Sequence, residues 1–364
     1  MNKEFDFKKA YKNFINSKNF LQNNHQNSES SYWKRFNSKD FSIEQKLYNF
    51  RSDKLSYGCD DAITNDIDIK KFKKKLVKYE KDIGKKFLFE NLDKDNIGNS
   101  KNSILYKGRF VDYNNVVQIK WFKDIKKNFK NSNKFIFCEI GGGFGTFTKL
   151  VLQNFPKVKI LSIDLPEQNL LTYYFLKRSF PNKRFFTFDN LKTKKFFDSN
   201  QFINCDIAIL PPKIFFKNLK IDFFINARSM MEMNKKTIKD YFDFIHENSS
   251  SNSFFLNINR YQKNIGYEMI RIAEYPYDNN WDVIISKESY EQKHIHFLLC
   301  KRKFKNFNKN IAHELQNIDK IGQKYYSKID YLLPLKLKIV KTLTSIFGTK
   351  FVRTIFPNVN INEF

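Results

Sequence analysis

The segment between Phe135 and Leu152 limits the possible folds of this chain more than any other feature. It reads FIFCEIGGGFGTFTKLVL, which is an apolar run ending in Glu139, a glycine-rich turn and a stretch with one apolar face. Gly141 and Gly143 allow the backbone to bend sharply and to approach a ligand that any Cβ would obstruct. The segment therefore predicts a strand, a ligand-binding turn and a helix, the opening unit of a doubly wound α/β domain.

The spacing of the glycines indicates which ligand this turn binds. Dinucleotide-binding turns carry GxGxxG, and Thr146 stands where the third glycine of that motif belongs. The residues spell ExGxGxG instead, with a carboxylate at the strand end that would repel a pyrophosphate and attract an ammonium group. S-adenosylmethionine has an ammonium group and no phosphate, so it is the predicted cofactor. The first predicted cofactor-binding residues are Glu139, Gly141, Gly142, Gly143 and Gly145.

A second acidic residue follows about 20 residues past the glycine turn, where nucleoside-binding folds place one. Asp164 ends the apolar run KILSI and precedes Leu165 and Pro166. One carboxylate in this position can accept hydrogen bonds from both ribose hydroxyls. The alternative is that Asp164 only caps the helix that begins at Pro166. The combination with Glu139 and the glycines favours the ribose contact, and Leu165 and Asn226 complete the predicted cofactor-binding set.

The pattern of apolar segments divides the chain into three parts. Residues 1–132 predict a helical cap, residues 133–303 alternate short apolar runs with helical segments, and residues 304–364 predict a basic helical extension. The middle part predicts one seven-stranded, Rossmann-like sheet. Its strands are expected at residues 135–139, 158–164, 206–210, 222–226, 254–259, 282–286 and 296–302. Residues 184–188 are a further short candidate, which is either the third strand or an additional one.

Several motifs in the middle part resemble those of one enzyme family. They are EIGGGFG at 139–145, IDLPE at 163–167, FFIN at 223–226 with Ser229 and MEM at 231–233, NINR at 257–260, and YPY at 275–277 before Trp281. Across roughly residues 111–302 the sequence resembles the sugar O-methyltransferases of bacterial surface-polysaccharide gene clusters, within the class I S-adenosylmethionine-dependent methyltransferases. The resemblance implies methyl transfer to a sugar hydroxyl of a surface polysaccharide or its precursor.

Candidate catalytic and substrate-binding residues follow the later strands, because ligands in this fold bind at the carboxyl ends of the strands. Methyl transfer to a hydroxyl needs a base for the departing proton. The candidates are His294, whose ordinary pKa suits neutral pH and which is slightly favoured, and Glu232, whose pKa would have to be raised by burial. The alternatives are a structural role for His294 and a charge at a helix N-terminus for Glu232. Residues expected to contact the substrate are Arg228, Ser229, Asn259 and Tyr261.

The formal net charge of +27, from 65 Lys and Arg against 38 Asp and Glu, allows a different acceptor. A basic surface attracts nucleic-acid phosphates, so an RNA methyltransferase is the second hypothesis. Lys is abundant along the whole chain together with Asn, Phe and Ile, which is typical of an AT-rich genome whatever the function. The run LPPK at 210–213 also lacks the Asp or Asn that begins the tetrapeptide of amino-methylating enzymes, and both features disfavour nucleic acid. The third hypothesis is a scaffold that binds no cofactor.

The remaining signals concern metals, cysteines and location. Two histidines two residues apart, His294 and His296, are too few ligands to predict a zinc site. The four cysteines lack CxxC spacing and predict buried free thiols in a reducing compartment. The chain has neither a signal peptide nor an apolar run of membrane-spanning length, which predicts a cytoplasmic protein. An amphipathic stretch at 335–346 predicts a basic helix that docks on the core or contacts an anionic membrane surface.

Overall fold

The computed structural model describes residues 5–24, 42–52, 66–129, 135–193, 196–265, 268–303, 305, 308–326, 339 and 342–346. These residues group into two compact units. The first unit holds the described residues up to 226 together with 248–255, and the second holds 227–247 and the described residues from 256 onward. These boundaries differ from the predicted division at residues 132 and 303, which concerned segments of chain rather than compact units.

The first unit combines an N-terminal group of helices with alternating strands and helices. Its helices are α1 (Phe7–Asn24), α2 (Glu44–Tyr48), α3 (Asp66–Ile83), α4 (Lys85–Asn91), α5 (Tyr113–Ile125), α6 (Thr146–Asn154), α7 (Pro166–Ser179) and α8 (Ser199–Ile203). Its strands are β1 (Ile104–Tyr106), β2 (Arg109–Val111), β3 (Ile136–Ile140), β4 (Lys159–Ile163), β5 (Phe185–Thr187), β6 (Phe196–Asp198), β7 (Ile207–Leu210), β8 (Phe215–Lys217) and β9 (Ile221–Ala227). The first part of β10 (Ser249–Arg260) also belongs to it.

The main sheet has eight strands, whereas the sequence predicts seven. In the first unit its order is β10, β9, β3, β4, β7, β5, and the pairs β9/β3, β3/β4, β4/β7 and β7/β5 are parallel. The extra strand is β5, the undecided segment near residue 185. It is third among the strands of this sheet in chain order, and it pairs only with β7. All three of its residues are half-buried, and this partial burial explains its ambiguous apolar pattern.

The order of the parallel strands creates a ligand-binding edge in the first unit. Phe137, Cys138 and Ile140 of β3 are each fully buried, which is typical of a parallel strand with both faces covered and explains the continuous apolar run. From β3 the chain moves outward through β4 and then returns to β9 on the other side of β3. The strand order therefore reverses at β3, and open α/β sheets bind ligands beyond the carboxyl ends of the strands at such a reversal. The predicted doubly wound α/β fold is confirmed.

The N-terminal residues of the first unit form helices, as predicted, and one hairpin in addition. β1 and β2 pair antiparallel through a turn at Gly108. At the start of the chain, the Phe5 ring meets the ring of Tyr174 in α7 edge-on, with centroids 5.1 Å apart. Further along α1, the side chain of Asn16 donates a hydrogen bond to Asp189 at 2.8 Å. The predicted cap thus packs within the same compact unit as the parallel strands.

Aromatic rings form a large part of the core beside β3 and β9. The ring of Phe129 stacks on Phe223 with centroids 4.6 Å apart, and it lies 5.2 Å from Phe135 and 5.0 Å from Phe155. Aromatic side chains bury large areas per residue. These rings are among the 41 Phe of the sequence. They pack the sheet against the segment that precedes β3.

The described residues of the second unit include the remaining strands and further helices. Its strands are the end of β10, β11 (Gln262–Ile265), β12 (Glu268–Arg271), β13 (Trp281–Ser289) and β14 (Gln292–Arg302), and its helices are α9 (Lys235–Asn248) and α10 (Ile311–Gly322). The order of its part of the main sheet is β13, β14, β10, with β13 and β14 antiparallel. β11 and β12 form a separate antiparallel hairpin. All seven predicted strands are thus present, although β10 begins at Ser249, earlier than expected.

The described residues also bear on the cysteines and the C-terminal segment. Cys138, Cys205 and Cys300 are buried and free, as predicted, whereas Cys59 lies outside the described residues. Half of the predicted helix at 335–346 lies outside them too; the described positions 339 and 342–346 are helical, and Ile339 and Ile346 are 46% and 63% exposed. Within the part of the chain that the structure describes, every helix is too short or too polar to cross a membrane.

Candidate cofactor and acceptor sites

The predicted cofactor-binding residues meet at the carboxyl ends of β3, β4 and β9 in the first unit. The fully buried side chain of Asn226 at the end of β9 donates a hydrogen bond to the carbonyl of Ile140 at 2.8 Å. The N–H of Gly141 donates to the carbonyl of Ile163 at the end of β4, also at 2.8 Å. These two bonds connect the three strand ends, so the glycine-rich turn leaves the sheet at the point where the strand order reverses.

The glycines of the turn have backbone conformations that other residues rarely adopt. The φ angles of Gly141, Gly143 and Gly145 are 70°, 60° and 88°, in the left-handed region that favours glycine. A Cβ built at Gly142 would lie 2.5 Å from the Cδ of Glu139, whereas a Cβ built at Gly143 would meet no atom within 4 Å. Gly142 is therefore required for internal packing, and Gly143 faces open space in which a ligand can approach the backbone.

Asp164 holds the glycine-rich turn in place. One of its carboxylate oxygens accepts the N–H of Gly143 at 2.8 Å, and the other accepts the N–H of Leu165 at 2.7 Å. The N-cap of α7 is Leu165, whose own side chain makes no capping hydrogen bond. Asp164 therefore fastens the glycine-rich turn as well as the start of α7, and its contact with a ribose stays a prediction.

Glu139 lies beneath the turn and is almost completely buried, with 3% of its surface exposed. The Thr148 hydroxyl donates a hydrogen bond to its carboxylate at 2.5 Å. Burial raises the pKa of Glu139 from its ordinary value of 4.5 to about 7; the hydrogen bond from Thr148 opposes this rise, and the charge of Asp164 adds to it. The predicted acidic residue is therefore present at the strand end, but Gly142 separates it from the open face of the turn.

Side chains from the N-terminal part of the first unit pack on the turn from outside. The ring of Phe144 lies 5.2 Å from the ring of Phe50 and 5.1 Å from that of Phe175, both edge-on. The Arg51 guanidinium lies 5.1 Å from the Phe144 ring centroid and forms a largely buried ion pair with Asp112 at 2.8 Å. These contacts pack the helical cap and α7 against the turn, so the cap contributes to the shape of the predicted cofactor site.

Sequence reasoning missed three of the residues that support this turn. They are Thr148, Arg51 and Thr172, and the hydroxyl of Thr172 donates to the Gly143 carbonyl at 2.6 Å. The position of Thr148 in the first turn of α6 is a signal that could have been used, because that turn faces the end of β3. No local pattern points to Arg51 or Thr172, which reach the turn only through the tertiary structure.

Three of the predicted acceptor-site residues follow β9 directly and belong to the second unit. Arg228 has a φ of 63°, which is rare for a residue other than glycine, and its N–H donates to the carbonyl of Ile258 at 2.7 Å. Ser229 is 9% exposed and Glu232 is 8% exposed. Arg228, immediately after β9, thus has a strained backbone conformation. The hydroxyl of Ser229 and the carboxyl group of Glu232 are buried within the next four residues.

Glu232 is paired with a cation that the sequence did not identify. The Lys263 ammonium in β11 lies 2.6 Å from its carboxylate. Burial raises the pKa of Glu232, while Lys263, Arg228 and Arg260 act in the opposite direction. A carboxyl group with a raised pKa is closer to the range that suits a base at neutral pH.

Asn259 and Tyr261 are fully buried. Asn259 accepts a hydrogen bond from the N–H of Met231 at 3.1 Å and donates one to Asn257 at 2.5 Å, and Asn257 in turn donates to the hydroxyl of Tyr277 at 3.1 Å. This chain of bonds connects the motifs MEM, NINR and YPY, which are far apart in the sequence. The Tyr261 hydroxyl is bonded to the ring of a buried histidine, so both side chains support the structure around the predicted acceptor site.

The two histidines of β14, which would share a face if both lay in a regular strand, lie in different environments. His294 is exposed, whereas His296 is fully buried and contacts the hydroxyl of Tyr261 at 3.0 Å and that of Ser286 at 2.9 Å. A register shift between Glu288 and Ser289 in the partner strand breaks the regular alternation at this point. No group of three His, Cys, Asp or Glu within the described ranges is arranged to hold a metal ion.

Comparisons with known proteins give only distant similarities. No family model and no curated protein matches this sequence. A SAM-dependent methyltransferase from Aquifex aeolicus matches in structure with 14% identity and a TM-score of 0.32, over 52% of this chain and 94% of that one. The B. subtilis M1A22 tRNA methyltransferase TrmK matches with 10% identity and a TM-score of 0.35, over 65% and 91% of the two chains.

The mitomycin 7-O-methyltransferase MmcR matches with 12% identity and a TM-score of 0.31, over 52% of this chain. This chain spans 57% of MmcR and 58% of the pyocyanin biosynthetic protein PhzM. Similarities of this size assign neither an activity nor an acceptor to this chain. The fold follows from the strand order and the parallel pairs, and membership of the sugar O-methyltransferase family stays a prediction.

The raised pKa of Glu139 predicts a specific pH dependence of stability. The folded protein binds this proton more tightly than the unfolded chain, so the stability it provides is complete below about pH 4.5 and is lost as the pH rises through about 7. Glu139→Gln removes this titration. We expect the parent to lose roughly 3 kcal/mol of unfolding free energy relative to the variant between pH 4.5 and 8.

Urea unfolding of the parent and of Glu139→Gln across this pH range measures the difference between their unfolding free energies. Titrating groups that are the same in both proteins contribute equally and cancel in this difference. A difference that does not change with pH would mean that Glu139 has an ordinary pKa in the folded protein.

Proposed function

We propose that this protein is an S-adenosylmethionine-dependent methyltransferase whose acceptor is a sugar hydroxyl of a surface polysaccharide or its precursor. The observation that carries the cofactor assignment is the open face of Gly143, whose N–H is held by Asp164 at 2.8 Å. A glycine at positive φ beside a carboxylate at a strand reversal provides the close backbone approach and the hydroxyl acceptor that a nucleoside ligand needs.

The residues around Gly143 fit the groups of the cofactor. A carboxylate offers about four acceptor positions, so Asp164 can hold the turn and also accept hydrogen bonds from ribose hydroxyls. The charge of Glu139 lies beneath Gly142 and favours an ammonium group above the turn. Leu165 and Asn226 shape the two sides of this edge. When bound, S-adenosylmethionine supplies a methyl group on a positively charged sulfur, which an acceptor oxygen can attack.

Glu232 is the proposed base for the acceptor hydroxyl. A sugar hydroxyl does not ionise at neutral pH, so its proton leaves as the new bond forms and needs an acceptor with a suitable pKa. Burial raises the pKa of Glu232, whereas His294 lies exposed on β14. This burial favours Glu232 over His294, in contrast to the preference drawn from the sequence.

The remaining predicted residues divide into two roles in this proposal. Arg228 and Ser229 contact the acceptor, because they follow β9 at its carboxyl end. Asn259 and Tyr261 are positioning residues, because their side chains are fully buried and bonded to other protein groups.

The cofactor assignment predicts that Gly143→Ala weakens binding of S-adenosylhomocysteine. The new methyl group would project into the space assigned to the ligand, and adding a methyl group to a filled site costs about 1–3 kcal/mol, or about 5- to 150-fold in affinity. Titration calorimetry measures the change. Gly108→Ala is the matched control, because Gly108 has a φ of 76° and equally open surroundings but lies in the β1–β2 turn.

Gly108→Ala should therefore show the same backbone strain and bind S-adenosylhomocysteine like the parent. If Gly143→Ala also binds like the parent, Gly143 does not contact the cofactor and the proposed site is wrong.

The assignment of the base predicts that Glu232→Gln lowers kcat by about 10²–10⁴-fold, the usual effect of losing a positioned base. The substitution keeps the shape of the side chain, so S-adenosylhomocysteine affinity should not change. Methyl transfer to deacylated polysaccharide fragments measures the activity. His294→Gln is the control and should retain activity within a few-fold; the reverse result for the two variants would assign the base to His294.

An RNA acceptor is the second candidate, and one feature of α3 favours it. Lys70, Lys71, Lys73, Lys74 and Lys75 are exposed on this helix, and the described residues give none of them an ion pair. Lysines of α9, by contrast, pair with acids four residues later, as in Lys236–Asp240 and Lys239–Asp243. Like charges four apart on a helix are unfavourable, so this face of lysines fits a polyanionic partner.

Purification in high salt separates the two acceptors. Surface charges are screened within about 3 Å at 1 M salt, so we expect the protein to be free of nucleic acid after such a wash. RNA that resists the wash and becomes methylated would favour the RNA acceptor over the sugar.

A further inference from the structure

The helix α3 in the first unit has one buried and one strongly basic face. The buried face consists of Phe72, Leu76, Tyr79 and Ile83. The positions 70, 74, 77 and 81 have the same spacing and therefore lie on the opposite side of the helix. We call them the α3 outer face, which consists of the exposed residues Lys70, Lys74, Val77 and Lys81. This face extends over about 16 Å of helix.

Further lysines widen this basic surface. Lys71, Lys73 and Lys75 are exposed beside the outer face, and the sequence has no acidic residue between positions 69 and 79. Within the described ranges, none of these three lysines and none of the three on the outer face forms an ion pair. Lysines four positions apart, such as Lys70 and Lys74, repel each other. The helix therefore holds these charges together at a cost that an anionic partner would remove.

This arrangement differs from that of other lysines in the chain. On α9, Lys235 pairs with Glu274 at 3.0 Å, Lys236 with Asp240 at 3.3 Å and Lys239 with Asp243 at 2.6 Å. An AT-rich genome accounts for the abundance of lysine on both helices. It does not account for the absence of acidic partners beside the lysines of α3, so this surface differs from the compositional background.

The side chains of α3 indicate which kind of polyanion it fits. Proteins that bind single-stranded nucleic acids use exposed aromatic rings on which the bases stack, and arginine is preferred for phosphate recognition. α3 contains no arginine, and its two aromatic residues, Phe72 and Tyr79, are buried. The outer face instead presents an apolar side chain, Val77, which is 64% exposed. An apolar residue among lysines fits a lipid surface, where anionic headgroups cover an apolar interior.

We propose that the α3 outer face binds the surface of a bilayer that contains anionic phospholipids. This inference does not depend on the proposed cofactor or acceptor. Clusters of about four to eight basic residues on an amphipathic helix attract anionic lipids, and each lysine near the surface contributes roughly fivefold to binding. The other face of α3 is buried in the protein, so the helix lies on the headgroups and Val77 alone reaches below them.

Co-flotation of the full chain with phospholipid vesicles tests the proposal in about 0.1 M salt, where surface charges act over about 10 Å. One set of vesicles is pure phosphatidylcholine, and the other also contains phosphatidylglycerol. We expect the parent to bind only the second set. The variant Lys70→Gln/Lys74→Gln/Lys81→Gln changes exposed side chains only, so it should fold like the parent. It should bind these vesicles at least about tenfold more weakly, because three lysines are lost.

The matched control is Lys235→Gln/Lys236→Gln/Lys239→Gln, which removes the same number of charges from the paired lysines of α9. We expect it to weaken vesicle binding less than about threefold, as for other exposed ion pairs. The variant Lys70→Arg/Lys74→Arg/Lys81→Arg keeps the charge and should bind like the parent. Absence of binding of the parent to both sets of vesicles, or equal losses in the two Gln variants, overturns the proposal.

Two further measurements separate a lipid surface from a nucleic acid. Val77→Trp places a fluorescent side chain on the outer face, and its emission should shift to shorter wavelengths when phosphatidylglycerol vesicles are added. An unchanged emission from vesicle-bound protein would mean that another surface contacts the lipid. Binding of poly(U) RNA that is lost in Lys70→Gln/Lys74→Gln/Lys81→Gln, by a parent that does not bind the vesicles, would overturn the lipid proposal in favour of a nucleic-acid partner.

Discussion

The hydrogen bond from the Gly143 N–H to the Asp164 carboxylate, at 2.8 Å, is the interaction on which the geometry of the glycine-rich turn depends. It joins the turn after β3 to the end of β4, and it requires a backbone conformation that only glycine adopts without strain. Thr172 holds the carbonyl of the same residue from α7. Both backbone groups of Gly143 are hydrogen-bonded within the protein and its Cα side is open, and preorganisation of this kind reduces the entropy lost when a ligand binds.

The first unit supports this turn at an electrostatic cost. Glu139 is buried below Gly142, and burial of a carboxylate disfavours its charged form. A pKa of about 7 means that the carboxyl group is only partly charged at neutral pH in the absence of a nearby cation. A ligand ammonium above the turn would lower that pKa and stabilise the charge. The unfavourable burial therefore makes the site respond to a positively charged ligand, in a way that an exposed carboxylate would not.

Much of the fold and the cofactor edge could be predicted from sequence, because the glycines and the buried parallel strands have strong local signatures. The positive φ angles of Gly141 and Gly143 and the position of Asp164 follow from the motif itself. The short edge strand β5 could not be decided, since its three residues are only half-buried. The different burial of His294 and His296 could not be predicted, since a register shift interrupts the pairing of β13 and β14 beside them. Lys263 was missed because its contact with Glu232 connects residues 31 positions apart.

The predicted acceptor residues lie where the chain has several unfavourable local features together. Arg228 has a strained backbone, Glu232 is a buried carboxyl group, and the Nε of Arg260 is an unsatisfied donor; features of these kinds each cost about 1–3 kcal/mol. The bonded series Met231–Asn259–Asn257–Tyr277 holds the backbone around them. The motifs MEM, NINR and YPY are separate in sequence, and each supplies a member of this series. The hydrogen bonds of these buried amides hold a charged and strained segment in one conformation. In natural proteins, locally unfavourable features of this kind concentrate at functional sites.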